Sequence, residues 1–289
     1  MSDIAVYSQC LAKLIPSLGS TDFPGLLIAT IRGLVPVDEA NFIVYESARL
    51  PRFEFSDPDG WSQPNQNIFL KSAFLLDPYY IAAARDKKSG FFRLRDLAPS
   101  GFRRSEYYRV YYGNSGLRDE CGYLIPIQDA GFINISLGRT STKIFSKPQL
   151  LLLHEIEPLI TTLCGMHWKP KQQSDEPGTS LRGQLENALG CFGDSVLTNR
   201  ECQVMNMILL GHSTKQLAEV LEISPETVKL HRKHAYAKLD ISTQSELFYL
   251  FIDSLMSVDG YDSGDPLIAY SRTPNKPTAA AVGVQVRRE

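Results

Sequence analysis

The stretch 196–258 carries its own helix punctuation, and that punctuation leaves few ways for it to fold. Thr198, followed three positions later by Glu201 and then an apolar run, is a capping box. The hydroxyl accepts a backbone N–H of the first turn, and the carboxylate accepts the N–H of the cap itself. A helix therefore starts at Asn199, with Val204, Met205, Ile208 and Leu209 at helical spacing, and Gly211 stands where a left-handed residue ends it. Ser213 or Thr214 caps a second helix whose inner face holds Leu217, Ala218 and Leu221. Glu222, Ile223 and Ser224 make a short turn. Ser224 caps a third helix, and Pro225 occupies its first position, where a missing N–H does no harm. That helix turns Val228, Ala235 and Leu239 inward and carries Lys229, His231, Arg232, Lys233, His234 and Lys238 around its surface. Leu247, Leu250 and Phe251 recur at helical spacing on a fourth helix.

Two helices joined by so tight a turn, the second one basic, make a helix-turn-helix whose second helix is shaped and charged for the major groove. Residues 196–258 resemble the LuxR-type C-terminal DNA-binding domain of bacterial transcription factors. The residues that carry the resemblance are Leu197-Thr198-x-Arg200-Glu201, Gly211, Leu217-Ala218, Leu221-x-Ile223-Ser224-x-x-Thr227-Val228-Lys229-x-His231 and Lys238-Leu239. Three positions depart from it: Leu217 stands where Ile is usual, Asp240 where Gly is usual, and Gln244 where Arg is common, which removes a positive charge near DNA. The resemblance implies a four-helix unit whose third helix reads double-stranded DNA and whose fourth supports a homodimer. It marks Thr227, Lys229, His231, Arg232, Lys233 and Lys238 as DNA-binding candidates. A lone basic helix is more often a solvated face than a DNA reader; the caps, the tight turn and the pattern together reverse that weighting. The charge is local. Lys229, Arg232, Lys233 and Lys238 stand against Glu226 within 225–239, whereas 196–258 as a whole holds slightly more acid than base.

At 289 residues the chain has room for about two domains. Its formal charge of -2 suits no general polyanion binder, so a DNA-binding surface has to be concentrated on one element. There is no run of about eighteen apolar residues and no signal-peptide pattern, so the expected location is the cytoplasm, with no membrane partner. The five cysteines, at 10, 121, 164, 191 and 202, are scattered and never form C-x-x-C; buried thiols are the reading they support. No H-E-x-x-H, Walker loop, Rossmann fingerprint or nucleophile elbow occurs, so neither metal nor cofactor is expected and an enzyme is the remotest reading.

Residues 3–17 and 22–34 read as helices, after which the period changes. Segments 40–46 and 50–56 are β-branched or aromatic and suit a strand pair, closed off by the loop Asp57-Pro58-Asp59-Gly60. A long helix over 66–85, bent or interrupted at Pro78, leads to an extended segment at 91–97 and a Tyr-rich helix at 102–112. Strands at 121–127 and 132–137 turn through Asp129 and Gly131, and Ser146 caps a last helix to 168, kinked at Pro158. The fold expected of 1–168 is therefore α+β, a small antiparallel sheet flanked by helices, ahead of an all-α helix-turn-helix domain over 181–258. Residues 169–180, polar and with two prolines, read as a linker, and 259–289, rich in Gly, Pro, Ser and Thr, as a disordered tail. The element order resembles a GAF- or PAS-like sensor, a regulatory domain that LuxR-type proteins often carry.

Asp77, Tyr79, Tyr80, Phe92, Tyr107, Tyr108 and Tyr111 are the ligand-binding candidates: an aromatic cluster whose hydroxyls would orient a small molecule, with Asp77 to anchor an ammonium or amide group. Taken singly, each ring is better explained as core or dimer surface, and Asp77 serves equally well as the cap of the helical segment after Pro78. The layout of a phosphorylation receiver is missing. The acyl-homoserine-lactone pattern is half present: Asp77-Pro78 matches, Phe92 stands where Trp is usual, and Pro64 and Ile68 stand where Trp and Tyr would. The expected function is a dimeric regulator whose N-terminal domain couples a small-molecule effector, or a protein signal, to operator binding and contact with RNA polymerase. A regulator without a ligand, whose N-terminal domain only dimerises or binds a partner protein, is the alternative.

Overall fold

The structure, a computed structural model, describes residues 3–46, 49–58, 63–113, 116–127, 131–140, 144–168, 181–256 and 264–272. In chain order its elements are α1 (Asp3–Leu14), α2 (Phe23–Leu34), β1 (Glu39–Glu46), β2 (Arg52–Ser56), α3 (Gln63–Lys71), α4 (Pro78–Ala84), β3 (Gly90–Arg93), α5 (Leu94–Leu97), α6 (Glu106–Tyr111), β4 (Asp119–Ile127), β5 (Gly131–Arg139), α7 (Lys147–Glu155), α8 (Glu157–His167), α9 (Leu181–Cys191), α10 (Asn199–Leu209), α11 (Thr214–Leu221), α12 (Pro225–Leu239), α13 (Gln244–Met256) and α14 (Pro266–Arg272). Contacts group the chain into two compact units, 1–66 with 78–97 and 112–180, and 67–77 with 98–111 and 181–289. Two stretches of the N-terminal half thus group with the C-terminal helices. The linker expected at 169–180 and the turn residue Asp129 lie outside the described residues.

The first unit is organised by a five-stranded antiparallel sheet of order β2-β1-β5-β4-β3. Side chains alternate across it, so one parity of each strand meets one helix layer. Phe42 and Val44 of β1, Ile133, Ile135 and Leu137 of β5, and Tyr123 and Ile125 of β4 join Leu27, Ile28 and Ile31 of α2, Leu153 of α7 and Ile160 and Leu163 of α8 in one core. The other parity is buried too. Ile43, Tyr45, Leu124, Phe132 and Asn134 are all shielded, and the Tyr45 ring lies 5.3 Å from Tyr80 of α4 and 4.6 Å from Phe132. Burial on both faces explains why β1 reads as a continuous apolar run rather than a clean alternation.

Proline decides where the long helices stop. The helix expected over 66–85 is three pieces: α3, a 3-10 turn at Ala73–Leu76, and α4, which Pro78 begins. With no N–H, Pro78 cannot close a turn onto the preceding segment, and it serves as a first residue instead of a kink. The same rule splits the helix expected over 146–168 into α7 and α8, because Pro158 sits in the first turn of α8. Residues 102–112 divide into a 3-10 turn at Phe102–Arg104 and α6, and the extended segment at 91–97 ends at Arg93, where α5 begins.

In the second unit the expected punctuation is present atom for atom. Thr198 and Glu201 form the capping box, Ser213 accepts from the Gln216 N–H, and Ser224 accepts from the Thr227 N–H. Gly211 adopts φ 87. Glu222 and Asp240 end α11 and α12 in the left-handed region at φ 54 and 55. A left-handed Asp is tolerated, yet glycine pays nothing there, which is the physical sense of the usual Gly at position 240. The disorder expected from 259 onward does not hold for α14. Asp265, buried, accepts hydrogen bonds from the Gly193 and Leu267 N–H groups through one oxygen and from the Ser195 N–H through the other, and Leu267 is buried beside it.

Glu201 does more than cap. Its Oε2 accepts the Thr198 N–H at 2.8 Å and the Lys238 ammonium at 2.7 Å, which ties the start of α10 to the end of α12. Burial opposes its charge, but the hydrogen bonds from Lys238 and Thr198 prevail and hold the carboxyl at about 2, below an ordinary 4.5. A carboxyl depressed in the folded state stabilises fully above its unfolded pKa and loses that contribution as pH falls through its folded one. The stability gap between wild type and Glu201→Gln, read from urea midpoints, should therefore be widest at neutral pH and close as pH falls from 4.5 towards about 2. A gap independent of pH would show that the carboxylate charge is not what holds the two helices.

Candidate nucleic-acid interface

The third helix of the C-terminal set, α12, is presented by the residues that begin and end it. Ser224 satisfies the Thr227 N–H at 3.0 Å, Pro225 starts the first turn, and Val228 and Ala235 bury the inner face against α10 and α11. Most of the remaining circumference is exposed, with Thr227, His231, Tyr236 and Leu239 half-buried. Lys229, Arg232, Lys233 and Tyr236 follow at spacings of three, one and three, which places them along one side of the helix. With Ser242 and Gln244 from the corner leading into α13, they line an open cleft of about 560 Å³. Among the described residues no carboxylate lines that cleft, and Glu226 lies 4.0 Å from the Lys229 ammonium. Three cations together with two hydroxyls and an amide form a surface suited to a run of phosphates.

The six DNA-binding candidates therefore do not share one surface. Lys229, Arg232 and Lys233 come together. Thr227 sits at the helix start with its hydroxyl 2.9 Å from that of Ser224, and His231 is half-buried towards the inner side. Lys238 turns away to Glu201. Sequence reasoning passed over Tyr236 and Ser242 as cleft residues and set Gln244 near DNA only through the family resemblance; Tyr236 was legible from its spacing of seven to Lys229, whereas Ser242 depends on how the corner folds back.

The ligand-binding candidates are divided between the two units. In the first, Tyr79 is buried with its hydroxyl 3.4 Å from the Phe92 carbonyl oxygen, and Tyr80 packs on Tyr45 and Phe132. In the second, the Tyr107 hydroxyl donates to Asp77 Oδ2 at 2.6 Å, the Tyr107 and Tyr111 rings lie 4.9 Å apart, and half-buried Tyr108 meets Phe102 edge-on. Burial pushes the Tyr111 phenol well above its usual range. Asp77, foreseen as an anchor for a ligand, thus already holds a tyrosine hydroxyl.

A capped helix-turn-helix with a basic open cleft, following a helix-flanked antiparallel sheet, defines the class: a helix-turn-helix regulator with an α+β N-terminal unit. Comparison with known proteins gives the family. Residues 195–251 match bacterial regulatory proteins of the luxR family (GerE). An HTH-type transcriptional regulator encoded in the exeN 3' region of Aeromonas salmonicida is 32% identical over 197 residues, 66% of this chain and 100% of that protein. The nitrate/nitrite response regulator protein NarP of Escherichia coli K12 is 41% identical over 58 residues, 20% of this chain and 27% of NarP. The crystal structure of the VqsR LBD domain from Pseudomonas aeruginosa superposes with a TM-score of 0.50 at 24% identity, covering 56% of this chain and 94% of that one, which shows a shared fold. The chain belongs to the luxR family of bacterial regulatory proteins and is a DNA-binding transcriptional regulator.

The division among the lysines has a measurable form. Lys229→Ala and Lys233→Ala should each weaken binding to duplex DNA by roughly 1–3 kcal/mol where a base is read, or lower the salt slope by about one where only a phosphate is held. Lys238→Ala should lower the melting temperature and leave the salt slope as it is. If Lys238→Ala changed the slope without changing stability, the lysine would belong to the DNA surface after all.

Proposed function

We propose that the protein is a dimeric, effector-responsive regulator that places two copies of α12 in successive major grooves of an operator. The observation that carries this reading is the convergence of Lys229, Arg232 and Lys233 on one cleft beside a helix whose inner face is fully committed to its own domain. In this reading the three cations hold the phosphate backbone, Thr227 and the helix N-terminus approach the groove, and Gln244 supplies a neutral contact where relatives carry Arg. The sheet-bearing N-terminal half receives a small-molecule signal, as the family resemblance implies. An effector alters operator affinity by binding the DNA-competent arrangement of the chain differently from the other arrangement. Among the described residues no helix is long and apolar enough to cross a membrane.

Pairing of subunits through α13 would use a narrower surface than helical spacing foretold. Leu247 and Phe251 are fully buried within their own unit, Phe251 edge-on to Phe192 at 5.3 Å, which leaves half-exposed Tyr249 and Leu250 and exposed Met256 as the apolar groups available on that helix. Sedimentation of the full chain with a duplex enriched from a random library should give two chains per site, and the enriched sequence should be a palindrome with half-sites about 34–36 Å apart or a multiple of that. One chain on a non-palindromic site would overturn the dimer. A thermal-shift screen of the full chain against metabolites should find a compound that also shifts operator affinity. A stabilising compound that leaves affinity unchanged would favour the ligand-independent regulator.

A further inference from the structure

The face of α12 opposite its packed side carries a residue that neither the charge pattern nor the cleft accounts for. Val228 and Ala235 are 2% and 0% exposed and mark the inner face. At 100° per residue, Leu230 lies about 200° from Val228 and about 140° from Ala235, at the centre of the outward face. It is 50% exposed. Isolated exposed leucines are ordinary on protein surfaces, so exposure alone says nothing. Its placement says more. Leu230 stands directly after Lys229 and three positions before Lys233, both cleft cations, and in the N-terminal half of the helix, where base contacts of a recognition helix concentrate. Its exposed neighbours along this face, Glu226 and Lys233, are charged, so it does not belong to a broad apolar patch of the kind that receives another protein.

Building on the reading of α12 as the recognition helix, we propose that Leu230 is a specificity residue that packs against the C5-methyl group of a thymine in the major groove. The chemistry leaves one partner. The major-groove edges of guanine, adenine and cytosine present hydrogen-bond donors and acceptors beside bare ring C–H groups, and thymine alone adds an apolar substituent, its methyl. An aliphatic side chain pressed against any other edge removes water from polar atoms without replacing their hydrogen bonds, which is unfavourable; against the thymine methyl it buries apolar surface on both sides. Lys229 and the cleft hold the backbone, and Leu230 supplies a base-dependent contact of opposite character.

The test uses the full chain and the duplex that it enriches from a random library. Each thymine is replaced in turn by deoxyuracil, which deletes the methyl and keeps the pairing. One thymine per half-site should prove sensitive, with wild-type affinity falling about fourfold on its replacement, the effect of losing one apolar carbon from a buried contact. Leu230→Ala should bind the thymine and uracil duplexes equally. Val220→Ala, which trims another exposed aliphatic residue, 60% exposed on α11, should keep the wild-type discrimination. Unchanged helical content and an unchanged salt slope on mixed-sequence DNA would show that Leu230→Ala is folded and still holds the backbone. Two results overturn the assignment: no thymine responds to loss of its methyl, or Leu230→Ala still discriminates. If the wild type enriches no duplex at all, the recognition-helix reading falls, and this assignment falls with it.

Discussion

Everything the C-terminal unit presents to its surroundings depends on one carboxylate. Glu201 completes the cap of α10 and receives Lys238 from the far end of α12, so the angle between these two helices is held by a charge-assisted hydrogen bond as well as by packing around Val204, Met205 and Val228. A carboxylate with both obligations met is stable although buried; with either partner removed it becomes an unsatisfied charge. Because α12 carries the cleft lysines, the orientation of the basic surface is inherited from a residue that touches none of it. That inheritance clarifies the split among the cations: of four on the helix, one holds the scaffold and three are left for solvent or for a polyanion.

The helical unit was legible in the sequence because its elements are punctuated locally. Thr198, Ser213, Ser224, Pro225 and Gly211 act on atoms within a turn of themselves, so their effect needs no knowledge of the rest of the chain. The strands were found for a similar reason, and the four expected segments correspond to β1, β2, β4 and β5. The misplaced boundaries share a cause. Pro158 was read as a kink within a continuing helix and Pro78 as a bend or an interruption; a proline in a first turn is compatible with a new start as well as a kink, and packing decides between the two. The ion pair of Lys238 escaped the local reading because its partner Glu201 is 37 residues away, beyond any local pattern. The short helix α14 was missed because Gly, Pro and Ser on either side concealed the one buried acid that anchors it.

The sheet of the first unit shows how one physical demand conceals another. A strand buried on both faces loses the polar–apolar alternation that would reveal which face is the core, so β1 discloses that it is central and, by parity, that Tyr45 and Phe42 look in opposite directions, but not what each of them meets. The packing settles that: Phe42 joins the core with α2 and α8, while Tyr45 stacks on Phe132 and meets Tyr80. The aromatic candidates proposed from sequence were gathered by proximity along the chain. Their division into Tyr79, Tyr80 and Phe92 in one unit and Asp77, Tyr107, Tyr108 and Tyr111 in the other follows from where the chain crosses between compact regions, information that no period contains.

Asp265 fastens the far end of the described chain to the turn just ahead of α10. Its two oxygens satisfy the backbone of Gly193, Ser195 and Leu267, so the reach of the helix-turn-helix unit, judged by what its hydrogen bonds require, extends past the family match to at least Leu267. A fragment trimmed to the matched residues would keep the Ser195 amide without its acceptor and the Phe251 ring without Phe192 against it. The hydrogen bonds of this unit are thus closed by a capping acid outside the motif that names the family, and the boundaries of homology and of packing part company at both ends.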